Sequence, residues 1–253
     1  MDIDISLEGH IGVISIQRPP NNHFDHQLIS DIADSLEDFD KEIECRCIVL
    51  CSEGKHFCAG ANFDQDRDMK DKKDPYSELY KQAVRLFKTN KPIVVAVQGG
   101  AIGGGLGLSL VGDFRVGCPE SRFSANFSML GFHQGFGTTV TLPRVVGIQN
   151  ASMMMLTGRR LKGHEAHEIG LIDYLVKQNE VKTRAIDLAL EITKSGPLAI
   201  QSIRATIRRG LAEEVEQIVD LELSEQMRLQ KTNDFKEGIK ASLERRIPNF
   251  KGS

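Results

Sequence analysis

Ile3, Ile5 and Leu7 alternate with Asp4, Ser6 and Glu8, a period of two that predicts a half-buried strand. Gly9-His10 reads as a turn into a second strand over 11–16, where Ile14 and Ile16 flank Ser15 and Pro19-Pro20 closes the run. From His26 to Phe39, the apolar residues Leu28, Ile29, Ile32, Leu36 and Phe39 follow helical spacing. The uninterrupted apolar runs Cys47–Cys51 and Ile93–Val97 predict strands buried on both faces. Between them a helix is expected over 77–87. It is preceded by residues 64–74, in which nine of eleven side chains are charged. That run reads as a solvated loop, and its place beside a glycine-containing turn also suits a lid over a site.

Strands alternating with helices predict an α/β core with buried, largely parallel strands. Beyond about residue 140 the pattern turns helical, over 140–146, 151–156, around Ala166, and over 181–193, 199–209, 213–229 and 234–244. No strand of comparable clarity stands out there. The expected organisation is an α/β core over 1–190 followed by a C-terminal helical section over 191–253.

Composition narrows the function classes. A chain of 253 residues with 40% hydrophobic content can bury a core without disulfides or metals. Its 32 Lys+Arg against 35 Asp+Glu leave a net charge of -3, which offers no electrostatic reason to bind nucleic acid. No apolar run approaches the roughly 18–20 residues that cross a bilayer. The first ten residues hold three acids and no Lys or Arg, which fits neither a signal nor a transit peptide, so a cytoplasmic location is expected. Cys45, Cys47, Cys51, Cys58 and Cys118 form no C-x-x-C pair. Cys45, Cys47 and Cys51 share parity and are expected on one strand face, as reduced thiols packing like small hydrophobes. No metal site is expected.

Two glycine-containing turns leave the apolar runs: GKHFCAGANF over 54–63 and QGGAIGGGLGLSL over 98–110. Glycine at a strand-to-helix turn lets backbone N–H groups approach a ligand, and a helix start adds a positive dipole end, a combination suited to an anion. Neither turn spells G-x-G-x-x-G, and no Gly-Lys-[Ser/Thr] ending marks a nucleotide P-loop. Tight chain contact is the other reason for glycines in such turns, and both readings stay open on spacing alone.

HFCAGANF followed by AVQGGAIGGGLGLSLVGDFRV resembles the two signature segments of the crotonase superfamily, the enoyl-CoA hydratase/isomerase family. The segments at 123–147, 156–176 and 237–252 match in order, so the resemblance spans nearly the whole chain. It implies a crotonase-like fold of repeated β-β-α turns, a C-terminal helical section that assembles subunits, and homotrimers or hexamers. It also implies a CoA thioester substrate without a separate cofactor. The shared device is an oxyanion hole of two backbone N–H groups, which map here to Ala61 and Gly104. Gly60, Gly103 and Phe127 map to the substrate site, and the backbone around Ala59, Ala61 and Asn62 to the adenine site. Asn62 stands where an aspartate is usual. Phe250 and Lys251 match a segment that meets the CoA bound to an adjacent subunit. His56 with Lys55 maps near the CoA phosphates, and Cys58 to a small packing position.

The resemblance departs at the acid/base residues. The two hydratase glutamate positions hold Gly107 and Phe127, the dienoyl isomerase and dehalogenase aspartate position holds Gly135, and the decarboxylase tyrosine position holds Gln134. His133, six residues beyond Phe127, is the first substitute, because imidazole exchanges protons near neutral pH. Asp64 and Asp66 are a second source. The expected activity is hydration or isomerisation of an enoyl-CoA through a stabilised enolate, with a non-standard acid/base. The alternatives are a catalytically silent acyl-CoA-binding homologue, a decarboxylase or C–C hydrolase of the same superfamily, and RNA binding, which the charge disfavours.

Overall fold

A computed structural model describes residues 2–61 and 75–253. Asn62, Asp64, Asp66 and the charged run 64–74 lie outside the described residues. The chain opens with β1 (Ile3–Glu8), β2 (Ile11–Ile16), α1 (His26–Lys41), β3 (Cys47–Ser52) and α2 (Pro75–Phe87). It continues through β4 (Ile93–Val97), β5 (Gly100–Ile102), α3 (Gly104–Ser109), β6 (Phe114–Gly117), β7 (Arg122–Ser124) and α4 (Thr138–Thr157). Short elements follow: β8 (Arg160–Lys162), α5 (Gly163–Glu168) and β9 (Tyr174–Leu175). Helices α6 (Val181–Thr193), α7 (Pro197–Ile207), α8 (Leu211–Leu229) and α9 (Asn233–Leu243) complete it.

The main sheet runs in the order β1-β2-β3-β4-β6-β9, antiparallel at β1–β2 and parallel elsewhere. Alternation within each strand divides the core. Ile14, Ile16, Ile48, Leu50 and Val95 join the large core under α1 and α2, whereas Val13, Val49, Val94 and Ala96 face α6 through Ala185, Leu188 and Ala189. Burial on both faces explains why these strands are continuous apolar runs.

A second layer positions the functional turns. After β2, β3, β4 and β6 the chain makes a short extended step before its helix, and these steps pair in sequence. Phe24 bridges Ala61, Cys58 bridges Ala101, β5 pairs with β7, and β7 with β8. The chain is thus an α/β fold of repeated β-β-α units with a C-terminal helical section. Helix α7 is tied to the sheet through Asp113, which accepts from Ile93 N–H at 2.8 Å, Arg204 Nε at 2.8 Å and Arg208 Nη1 at 3.1 Å.

Four expectations change. Ile5 and Leu7 are exposed rather than half-buried, because β1 is an edge strand that nothing among the described residues covers at these positions. Cys47 and Cys51 share a face, but Cys45 lies in the turn before β3, where the strand period does not hold, and its side chain joins the opposite core. The strand 93–97 does not run straight into a helix, since β5 intervenes. The helical second half contains β8 and β9, whose three and two residues are too short to show a period. The gap between the helical segments 140–146 and 151–156 corresponds to Gly147, whose φ of 76° breaks α4. All five cysteines are free and buried. Among the described residues there is no cluster fit to hold a metal ion, and no helix long and apolar enough to cross a membrane.

Candidate active site

The two glycine-containing turns are adjacent because their second-layer steps pair. Cys58 N–H donates to Gly100 O at 2.9 Å and Ile102 N–H donates back to Cys58 O at 3.0 Å. Contact is so close that a Cβ on Gly105 would lie 2.1 Å from Cys58 O, and one on Gly60 would lie 2.9 Å from Ile102 O and 3.8 Å from Gly104 N. Gly60, at φ +91°, adopts a backbone that other residues rarely do.

Peptide planarity then aims the two N–H groups. Gly60 O accepts from Phe24 N–H at 3.1 Å, so the trans peptide turns the Ala61 N–H to the opposite side. Gly103 O accepts from Leu106 and Gly107 N–H as α3 begins, which turns the Gly104 N–H back out of the helix. Among the described residues no acceptor takes either group. Ala61 and Gly104 line the same pocket of about 780 Å³, part of it open to solvent. Phe24, Ile102, Phe127, Leu130, Phe132 and Phe136 make its walls largely apolar.

Of the residues singled out in the sequence, Ala59, Gly60, Ala61, Gly103, Gly104 and Phe127 line this pocket. His133 does not, and its Nδ1 meets Gln134 O at 2.8 Å. Phe250 and Lys251 stand away from the pocket of their own chain, where Lys251 N–H donates to Asp234 Oδ1 at 2.7 Å. His56 Nδ1 accepts from Gly100 N–H at 3.0 Å, and burial, with Lys55 and Arg160 nearby, holds its pKa below the usual histidine value. Burial pushes the Cys58 thiol up to about 12, which suits a packing residue rather than a nucleophile.

At two of the acid/base positions, 107 and 135, a side chain would meet its neighbours too closely. A Cβ on Gly107 would lie 2.7 Å from Phe136 Cβ, and one on Gly135 would lie 2.0 Å from the Tyr80 hydroxyl. Tyr80, Gln226, His26 and Asp25 line the pocket without having drawn attention in the sequence. Asp25 is engaged elsewhere, capping α1 at Leu28 N–H (2.9 Å) and pairing with Arg18 at 2.8 Å. Tyr80 shares the apolar stripe of α2 and reads as core. Gln226 did leave a signal: with Glu222 it continues the buried stripe Leu211, Val215, Val219 of α8, a place where polar side chains need a reason. Glu222 accepts from Gly137 N–H at 2.8 Å, Thr139 N–H at 3.0 Å and Thr139 Oγ1 at 2.6 Å, holding the segment that carries Phe136.

Known proteins resemble this chain in sequence and in fold. The chain is 30% identical to 1,2-epoxyphenylacetyl-CoA isomerase of Escherichia coli, over 97% of both chains. It is 28% identical to short-chain-enoyl-CoA hydratase of Clostridium acetobutylicum, over 99% of this chain and 98% of the relative. The fold superposes on carnitinyl-CoA hydratase from Mycobacterium avium with a TM-score of 0.89 at 26% identity, covering 100% of this chain and 99% of that one. A family profile described as enoyl-CoA hydratase/isomerase matches residues 6–253. Matched along nearly its whole length, the chain belongs to the enoyl-CoA hydratase/isomerase family.

Proposed function

We propose that the thioester carbonyl of an enoyl-CoA sits between the Ala61 and Gly104 N–H groups, which stabilise the enolate formed during its isomerisation or hydration. The observation that carries this reading is the pair of adjacent N–H groups, without acceptors among the described residues, at one largely apolar pocket. Charge grows on the carbonyl oxygen as the enolate forms, and fixed donors in a water-poor site favour that state over the ground state. Relatives named as an isomerase and as hydratases fit proton transfer along an enoyl chain. CoA arrives as part of the substrate, and the reading needs no resident cofactor.

The proton carrier has to come from outside positions 107, 127 and 135. His133, the candidate raised by the sequence, stands off the pocket, whereas His26 lines it at the start of α1. We therefore place His26 first and His133 second. The filled acid positions also favour a second reading, an acyl-CoA-binding homologue without turnover. Incubating saturated and unsaturated acyl-CoAs with the protein in D₂O separates the two. Deuterium entering Cα supports the enzyme reading, binding without exchange or turnover supports the silent one, and no binding sinks both.

The same proposal extends to assembly. Leu198, Ile203 and Ile207 on α7 are 80%, 59% and 70% exposed in the single chain, a cost that subunit contact would remove. Residues 191–253 are proposed to build a trimer or hexamer, in which Phe250 and Lys251 meet CoA on an adjacent subunit. Light scattering that finds a monomer at micromolar concentration removes this part of the reading.

A further inference from the structure

The two peptides that aim their N–H groups at the pocket have their carbonyl ends held in parallel ways. Gly103 O, in the peptide that supplies the Gly104 N–H, accepts from Leu106 N–H at 3.0 Å and Gly107 N–H at 3.2 Å as α3 begins. Gly60 O, in the peptide that supplies the Ala61 N–H, has no helix behind it. It accepts from Phe24 N–H at 3.1 Å, and its second partner is the His23 imidazole, with Nδ1 at 3.2 Å. A carbonyl oxygen only accepts, so this contact requires the proton on Nδ1.

Chain geometry fixes the imidazole against Gly60. The residues just before it dock along the first turn. Ala59 N–H donates to Asn21 O at 2.9 Å, and the buried Asn22 side chain donates to Glu53 O at 2.7 Å and His56 O at 2.6 Å. Asn22 takes a φ of 49°, a left-handed conformation that asparagine adopts more readily than most residues. Donors at a peptide oxygen polarise the whole amide, so they strengthen the N–H at its other end as a donor. They also resist tilting of the rigid peptide plane, which would turn that N–H off the pocket.

We propose that His23 is a positioning residue of the oxyanion device, clamping and polarising the Gly60–Ala61 peptide through its Nδ1–H. It does for the Ala61 donor what the first turn of α3 does for Gly104. This rests on the reading that a thioester carbonyl meets the two N–H groups, and it adds a side chain that sets the strength of one of them. His23 is not among the residues lining the pocket, so it acts through the peptide and not on the substrate.

Isotope-edited infrared spectroscopy of bound [1-¹³C]butyryl-CoA tests it, because donors at the thioester oxygen lower the carbonyl stretch. Wild-type protein is expected to lower that stretch. His23→Ala should lose about 10–30% of the downshift, the share that one cooperative bond contributes, with the dissociation constant within about threefold. His23→Asn, whose amide can place a donor where Nδ1 stands, should regain it. A full downshift in His23→Ala, or a loss that His23→Asn does not recover, overturns the inference whatever happens to the melting temperature. Imidazole ¹⁵N spectra of the wild-type protein give a second test that needs no variant. Nδ1 should carry the proton, and a bare Nδ1 overturns the inference. If butyryl-CoA binds without any downshift, the oxyanion reading itself fails, and this inference with it. If butyryl-CoA does not bind, the acyl-CoA reading fails.

Discussion

Ile102 N–H donates to the Cys58 carbonyl at 3.0 Å, and this bond locks together the turns that carry Ala61 and Gly104. Gly60 makes that approach possible, at φ +91° with Ile102 O 2.9 Å from where a Cβ would stand. Gly60→Ala must move the turn and tilt the Ala61 N–H. Strain of this kind costs about 1–3 kcal/mol, and losing one oxyanion donor costs about 10²–10³ in rate. The expected result is a folded, less stable protein with kcat/KM down by about that factor and thioester affinity nearly kept. A rate within threefold of wild type would show that the turns do not set the donors.

The two histidines give opposite expectations. His26 lines the pocket, and His133 holds its Nδ1 against Gln134 O. General acid/base groups contribute about 10²–10⁴-fold. Steady-state kinetics should show His26→Ala losing a factor in that range and His133→Ala staying within about threefold. The reverse order returns the role to His133.

Restoring a hydratase-type carboxylate at position 107 should fail for reasons of space. Phe136 Cβ lies 2.7 Å from a Cβ on Gly107, and both residues are buried. Gly107→Glu overpacks this contact, at about 1–3 kcal/mol, and also buries a charge. Thermal unfolding should report the loss, and crotonyl-CoA hydration should not rise. A stable variant with gained hydration would mean that the Phe136 segment yields.

Much of the frame could be read in advance because continuous apolar runs such as 47–51 and 93–97 admit few alternatives once helices alternate with them. The short second-layer strands could not. Three residues such as Arg122–Ser124 carry no period, and they exist because consecutive repeats stack. The two turns that carry Ala61 and Gly104 were legible as glycine clusters with a family resemblance. Tyr80 was not, since it sits on a helical stripe indistinguishable from core. Its reach to Gln226 spans 146 residues of sequence, a contact that only the packed structure of α2 and α8 creates.

The thiols should prove inert. Burial raises all five, and pushes Cys47 and Cys58 up to about 12. The thiolate is the reactive form, so at pH 8 an aromatic disulfide reagent should label the native protein slowly and the unfolded protein at all five sites. Activity should outlast a stoichiometric dose. Rapid modification of Cys58 with loss of activity would reopen its role as a nucleophile.

The C-terminal segment that carries Phe250 and Lys251 should detach in acid. Glu237 accepts from Asn249 N–H at 2.8 Å and pairs with Arg246 at 2.5 Å. The Arg246 guanidinium, with the Asn249 N–H, holds the Glu237 carboxyl down at about 2. A carboxyl depressed in the folded state contributes stability above its unfolded pKa and loses it as pH falls through the folded value. Attachment should therefore be complete at neutral pH and weaken from the usual carboxylate range down to about 2. The sequence has no Trp, so Phe250→Trp supplies a single fluorescent reporter. Its anisotropy should drop over that window before the fold is lost. Glu237→Gln, which cannot ionise, should show low anisotropy already at pH 7. An anisotropy curve identical in both backgrounds would assign the anchoring to the Asp234 contacts with Lys251 and Gly252 instead.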